Sequence, residues 1–90
     1  MLNVKVATRL REIYEIPPGA YKVEADTVDS VIAKLDADFP GIRGDVLLQE
    51  GGVRPDVVIY LDGEPLAATE TARSVAGVST MRIVQAMAGG

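Results

Sequence analysis

The residues with the plainest chemical use are the last two, Gly89 and Gly90. Glycine has no Cβ, so a Gly-Gly pair passes through a channel too narrow for other residues and adopts φ values closed to them. A free α-carboxylate is expected at Gly90, and a carboxylate becomes a transferable acyl group once it is activated. The residues before it, Ala86-Met87-Ala88, carry no charge. Fully extended, five residues reach at most about 17 Å. That is enough to carry a carboxylate off a domain and into the active site of a second protein. Glycine makes up about 7% of average sequence, so two in the last two places arise by chance in roughly 0.5% of chains. That rarity gives the pair weight without deciding its meaning. Chain ends are commonly frayed and rich in small residues, and a truncation leaves the same ending. On the tail alone both readings stand.

The remaining side chains exclude much other chemistry. The sequence has no His and no Cys. That removes thiol nucleophiles, Ser-His and Cys-His pairs, thiolate or imidazole metal sites and disulfides. Asp36 and Asp38 are two apart and do not share a helix face, so they read as a solvated surface and not as an acid–base pair. Gly51-Gly52 lacks the spacing of a phosphate-binding loop and reads as a turn. The nine Lys and Arg residues are scattered, with no basic run or basic-aromatic stripe, which argues against nucleic acid. The net charge of −4 fits a basic protein surface better. No apolar run approaches a membrane span, and Met1 to Ile16 lacks the apolar core of a signal peptide. A cytosolic protein without a membrane partner is expected.

The elements that must position the tail follow from periodicity. Ninety residues, 48% apolar and 24% charged, suit one globular domain. Aromatic residues are few (Tyr14, Tyr21, Phe39 and Tyr60), so the core must be built from Val, Ile and Leu. Leu2 to Ala7 alternates, with Leu2, Val4 and Val6 on one face, and predicts a half-buried strand. Thr8 to Glu15 is charged and predicts a loop or short turn anchored by Leu10 and Ile13. Pro17-Pro18-Gly19 is a break. Ala20 to Ala25 alternates again and predicts a second strand hairpinned on the first.

Asp26 or Thr27 offers an N-cap oxygen. Val28, Val31, Ile32, Leu35 and Phe39 then form one apolar helical stripe, which Pro40-Gly41 ends. Ile42 to Leu48 predicts a turn and a short strand, and Glu50 to Asp56 a loop. Val57 to Leu61 is a continuous β-branched and aromatic run suited to the middle of a sheet. Asp62-Gly63 signals a tight hairpin, and Pro65 confines the following piece to an edge. Ala67 to Val78 is irregular, and Ser79 to Ala86 is the last strand. The first and last strands are expected to pair in the middle of the sheet. The resulting fold class is α+β, of the β-grasp (ubiquitin-like) kind: a mixed sheet with one main helix across one face. Residues 1–85 would form the domain and 86–90 a flexible tail.

This order, at this length and ending in Ala88-Gly89-Gly90, resembles the ubiquitin-like sulfur carrier proteins. That family includes the small subunit of molybdopterin synthase, the thiamine-pathway carrier and the carrier that feeds a thiocarboxylate-dependent cysteine synthase. Phe39-Pro40-Gly41-Ile42-Arg43 is similar to the helix end of the molybdopterin and cysteine types. Val58-Ile59-Tyr60-Leu61-Asp62-Gly63 is similar to their central strand and hairpin, and Ala86 to Gly90 to their tail. Two positions depart from it: Gln85 stands where those carriers often have Pro, and Val58 where they often have Asn.

The resemblance implies a mechanism. An adenylating enzyme related to the ubiquitin activators joins Gly90 to AMP, using ATP. Sulfur then displaces AMP and leaves a Gly90 thiocarboxylate, which donates sulfur in an acceptor synthase of molybdopterin or cysteine biosynthesis. Met87, Ala88 and Gly89 would line the partner's channel. The chain itself would be a co-substrate, with no catalytic residue, metal or bound cofactor. A ubiquitin-like modifier or a β-grasp interaction module is the competing reading. A small carboxylate enzyme is set aside, because its acids do not group.

Overall fold

The computed structural model describes residues 1–85. Five strands form one mixed sheet. They are β1 (Leu2–Val6), β2 (Tyr21–Val23), β3 (Val57–Leu61), β4 (Glu64–Pro65) and β5 (Thr80–Gln85). Three helices, α1 (Thr8–Tyr14), α2 (Val28–Asp38) and α3 (Ile42–Val46), lie between them in sequence. The spatial order is β2-β1-β5-β3-β4. β1 and β5 run parallel, from Asn3 opposite Thr80 to Val6 opposite Ile83. β2 lies antiparallel to β1 and β3 antiparallel to β5. This is the β-grasp arrangement expected, with the first and last strands side by side at its centre.

The sheet buries one face. Leu2, Val4 and Val6 of β1, Met81 and Ile83 of β5, and Val57, Ile59 and Leu61 of β3 are buried under the helices. β3 is therefore not the doubly covered middle strand its apolar run suggests. It lies fourth in the sheet, between β5 and the two-residue β4, and Val58 and Tyr60 stay half exposed on its outer face.

α2 supplies the facing layer, with Val28, Val31, Ile32 and Leu35 at 0% exposure. Thr27 caps it: its Oγ1 accepts from the Ser30 amide at 3.2 Å, and Ser30 Oγ accepts from the Thr27 amide at 2.9 Å. The reciprocal pair is a capping box with Ser in the place usually held by Glu or Gln. Phe39 ends the helix and meets Tyr21 edge to face, with ring centroids 5.8 Å apart.

Two segments differ from the expectation. Thr8 to Tyr14 is an α-helix and not a loop, and its anchor is Leu10 together with Ile16 beyond its end. Ile13 is 56% exposed. A seven-residue helix with one buried side chain leaves no apolar stripe to read. Ile42 to Val46 is likewise helical, with Ile42 and Val46 buried one turn apart. Only a single bridge, Leu47 to Val53, stands where a short strand was expected.

Asp36 accepts from the amides of Gly41 and Arg43, each at 3.0 Å, and so carries the chain from α2 into α3. Gly41 has φ +107°, and a Cβ there would sit 3.3 Å from the Tyr14 ring. The positive φ favours glycine at this turn, and a side chain there would also press on the Tyr14 ring. The hairpin residues Asp62 and Gly63 both have positive φ, as a type I′ turn needs. The Asp62 carboxylate accepts from the Ser79 and Thr80 amides at the start of β5.

Leu35 lies at the middle of this one-sided core. Leu35→Ala should lower unfolding free energy by about 2–5 kcal/mol through the cavity it leaves, read from urea denaturation. A loss well under about 1 kcal/mol would show that the α2 stripe does not carry the core.

Candidate functional site at the end of the central strand

Gly90 and its neighbours Met87, Ala88 and Gly89 lie outside the described residues, as does the proposed tail segment 86–90. The structure places their attachment point. β5 is the central strand, gripped by β1 on one side and by β3 on the other, and its register with β3 runs to Gln85 opposite Val57. Gln85 is the last described residue, and it is paired with β3 in the interior of the sheet. Five extended residues from there span at most about 17 Å.

A shallow hollow of about 330 Å³ borders this point, between Val6, Ala7 and Thr8 on one side and Arg82 to Gln85 on the other. Gln85 Oε1 is buried and has no hydrogen-bond partner among the described residues. The outer sheet face adjoins the hollow. Lys5 stands opposite Arg82, and Arg82 opposite Tyr60, in one row across three strands. Val58 and Val84 form the next row towards the tail. These basic residues are far apart in the sequence and read as scattered there. The signal lay in the outward positions of two strands already expected to pair.

The described residues include neither His nor Cys. No group of three or more His, Cys, Asp or Glu among them is placed to hold a metal ion. No helix among them is long and apolar enough to cross a membrane. Asp36 and Asp38 form no acid–base pair, since Asp36 caps α3 and Asp38 receives the Tyr21 hydroxyl. Two tyrosines have shifted acidities, and the shift makes them poorer acids. Tyr14 donates to the Asp45 carboxylate, and that bond, with burial and the nearby charges of Asp45 and Asp36, pushes its pKa up to about 12. Burial, followed by the hydrogen bond to Asp38, pushes Tyr21 up to about 12.

No protein-family model matches this sequence, and no curated protein matches it. Solved structures do. A chain of the BexX/CysO complex of Amycolatopsis orientalis superposes with a TM-score of 0.80 at 22% identity, covering 100% of both chains. CysO of Mycobacterium tuberculosis gives 0.78 at 24% identity, over 97% of this chain and 100% of its own. SAMP1 of Haloferax volcanii gives 0.69 at 21% identity, over 99% and 98%. The chain has their fold. It is the ubiquitin-like β-grasp that the resemblance to the sulfur carriers implied, and the match spans at least 97% of this chain and 98% of each neighbour.

The tyrosine contacts make the fold sensitive to alkali. The native chain holds both phenolic protons above the ordinary value of 10, while the unfolded chain releases them there. Their contribution to stability is therefore complete below pH 10 and is lost as pH rises towards about 12. Stability should fall across this window, and Tyr14→Phe with Tyr21→Phe should flatten the fall. An unchanged alkaline slope in the double variant would show that these hydroxyls are not held in the native state.

Proposed function

We propose that this chain is a ubiquitin-like sulfur carrier, a protein co-substrate whose reactive group is the Gly90 carboxylate. The observation that carries this reading is the position of β5: the strand that precedes residues 86–90 in sequence is the central strand of a β-grasp domain that matches CysO over 97% of this chain. The tail's composition agrees. Gly89 and Gly90 bring no Cβ to a channel wall, and Met87 and Ala88 would lie in that channel without introducing charge.

A carboxylate is a poor acyl donor, so the partner must activate it. One Gly90 oxygen attacks the α-phosphorus of ATP, pyrophosphate leaves, and an acyl adenylate forms. Hydrosulfide attacks the acyl carbon, AMP leaves with the bonding pair, and a thiocarboxylate remains. The sulfur atom then serves as nucleophile in an acceptor synthase, of the molybdopterin or cysteine type by the resemblance of Phe39 to Arg43. The ATP and the catalytic groups belong to the partners. The absence of His and Cys and the raised tyrosine pKa values agree with a chain that carries the reacting atom and catalyses nothing.

The complex of BexX with CysO supports a partner-dependent role for this fold. SAMP1, a small archaeal modifier protein, keeps conjugation as the second reading. There Gly90 would end in an isopeptide bond to a lysine.

The test is the intact mass of the full chain after incubation with ATP, sulfide and the ubiquitin-activating-like enzyme of the source organism. Replacement of one oxygen by one sulfur at Gly90 is expected. Deleting Gly90 should abolish the gain and leave the melting temperature unchanged. A truncated chain that still gains sulfur would overturn the proposal, and lysine-linked adducts without sulfur would favour the modifier.

A further inference from the structure

Gln85 holds the one side-chain oxygen or nitrogen among the described residues that is buried without a hydrogen-bond partner, its Oε1. The strand pairing explains why it is left over. β1 runs beside β5 only as far as Val6 opposite Ile83, because the chain turns off at Ala7 into α1. β3 continues to Val57 opposite Gln85. On the β1 side, the last two residues of β5 therefore border the hollow of about 330 Å³ that Val6, Ala7 and Thr8 also line. Strand side chains alternate, so Gln85 follows the fully buried Met81 and Ile83 onto the core side of the sheet. The buried residues there are all apolar. An aliphatic side chain would close this rim at no polar cost, whereas a buried acceptor left unmet costs more than a made hydrogen bond returns.

The sequence adds a second observation. Ala86, Met87, Ala88, Gly89 and Gly90 follow, and none of them has a side-chain N–H, hydroxyl or carbonyl. Gln85 is the last side chain before the Gly90 carboxylate that can form an ordinary hydrogen bond. A tail read by those five side chains alone can slip. One residue of slip moves the reacting carbon by about 3.4 Å along an extended chain. That equals the whole separation, about 3–3.5 Å, from which reacting atoms approach.

We infer that Gln85 is a positioning residue for the activation of Gly90, and that its side-chain oxygen accepts a hydrogen bond from an uncharged N–H of the activating enzyme, a peptide or carboxamide group that enters through the hollow. The inference rests on reading Gly90 as an activated end. The donor is uncharged because Lys5 and Arg82 line the same hollow and repel a cation. The bond meets in the complex what the free chain leaves unmet. It also fixes the chain five residues from the reacting carbon, at most about 17 Å away. A tail bound one residue out of register would lose it.

Gln85→Met keeps the length of the side chain and removes the oxygen, while Gln85→Glu keeps an acceptor. Sulfur gain at Gly90 is followed by intact mass over a range of concentrations of the full chain, with ATP, sulfide and the ubiquitin-activating-like enzyme of the source organism. For Gln85→Met, kcat/KM should fall about tenfold, with part of the fall in kcat, since slipped tails bind without reacting. Its melting temperature should equal or exceed that of the wild type, because the unmet oxygen is gone. Gln85→Glu should stay within about threefold of the wild type. Gln49→Met, in an exposed turn, should change nothing.

A loss carried by KM alone, a lowered melting temperature in Gln85→Met, or an equal loss in Gln85→Glu would each overturn this role. If the wild type gains sulfur and Gln85→Met matches it, the carrier reading stands and the role of Gln85 falls. A wild type that gains no sulfur removes the carrier reading itself, and this role with it.

Discussion

The parallel pairing of β1 with β5 is the constraint on which the rest depends. Parallel neighbours cannot be joined by a tight turn, so the chain between them must cross over the sheet. Here the crossover is nearly the whole protein, from Ala7 to Ser79, and it contains every helix and the other three strands. α2 can bury its stripe only on the face the crossover covers, and that decides which side of every strand becomes core. The same pairing sets the last strand at the centre of the sheet. A C-terminal segment that starts from an edge strand would shift whenever the edge frayed. One that starts from β5 follows a strand with β1 beside it to Ile83 and β3 beside it to Gln85.

Covering one face leaves the other open, and the open face has its own character. Core-side residues of β1, β3 and β5 are uniformly aliphatic or Met. The outward residues are mixed: Asn3, Lys5, Thr80 and Arg82 beside Val58, Tyr60 and Val84. Two acids of α2 are taken up in structure on the opposite side, Asp36 on backbone amides and Asp38 on Tyr21. Asp45, on α3, does the same for Tyr14. A formal charge of −4 therefore describes no single surface of this molecule. It averages an acidic helical side with a sheet side whose cations lack partners among the described residues.

What could be read from the sequence was whatever leaves a periodic trace. The alternation of Leu2, Val4 and Val6, the helical spacing from Val28 to Leu35 and the Asp62-Gly63 turn each marked its element, and together they implied the fold. Elements too short to repeat a pattern left no trace. α1 buries Leu10 alone, and α3 has a single pair one turn apart with Gly44 between them. The first reads as a loop or short turn and the second as a turn and a short strand. β3 misled for a different reason. Its unbroken apolar run is what a doubly covered strand needs, but Val58 and Tyr60 face outward, where an apolar residue is also the material of an interface. The site was legible only in its covalent end, because Gly-Gly is a local feature. The Lys5–Arg82 row joins positions 77 residues apart and becomes visible only once the β1–β5 register is known.

The division between fold and chemistry follows from these constraints. A domain of 90 residues with a one-sided core has little interior in which to build a water-excluding site. Every described side chain in its core is apolar. Perturbed acids arise in clefts where burial and charge act on a group that can still reach substrate. Here the perturbed groups are two tyrosines locked to aspartates at helix ends. Reactivity on such a scaffold is best placed outside it, on a segment a larger partner can enclose. On the proposed carrier reading, the task of the domain is to hold the root of that segment. The central position of β5, paired on both sides, suits that task.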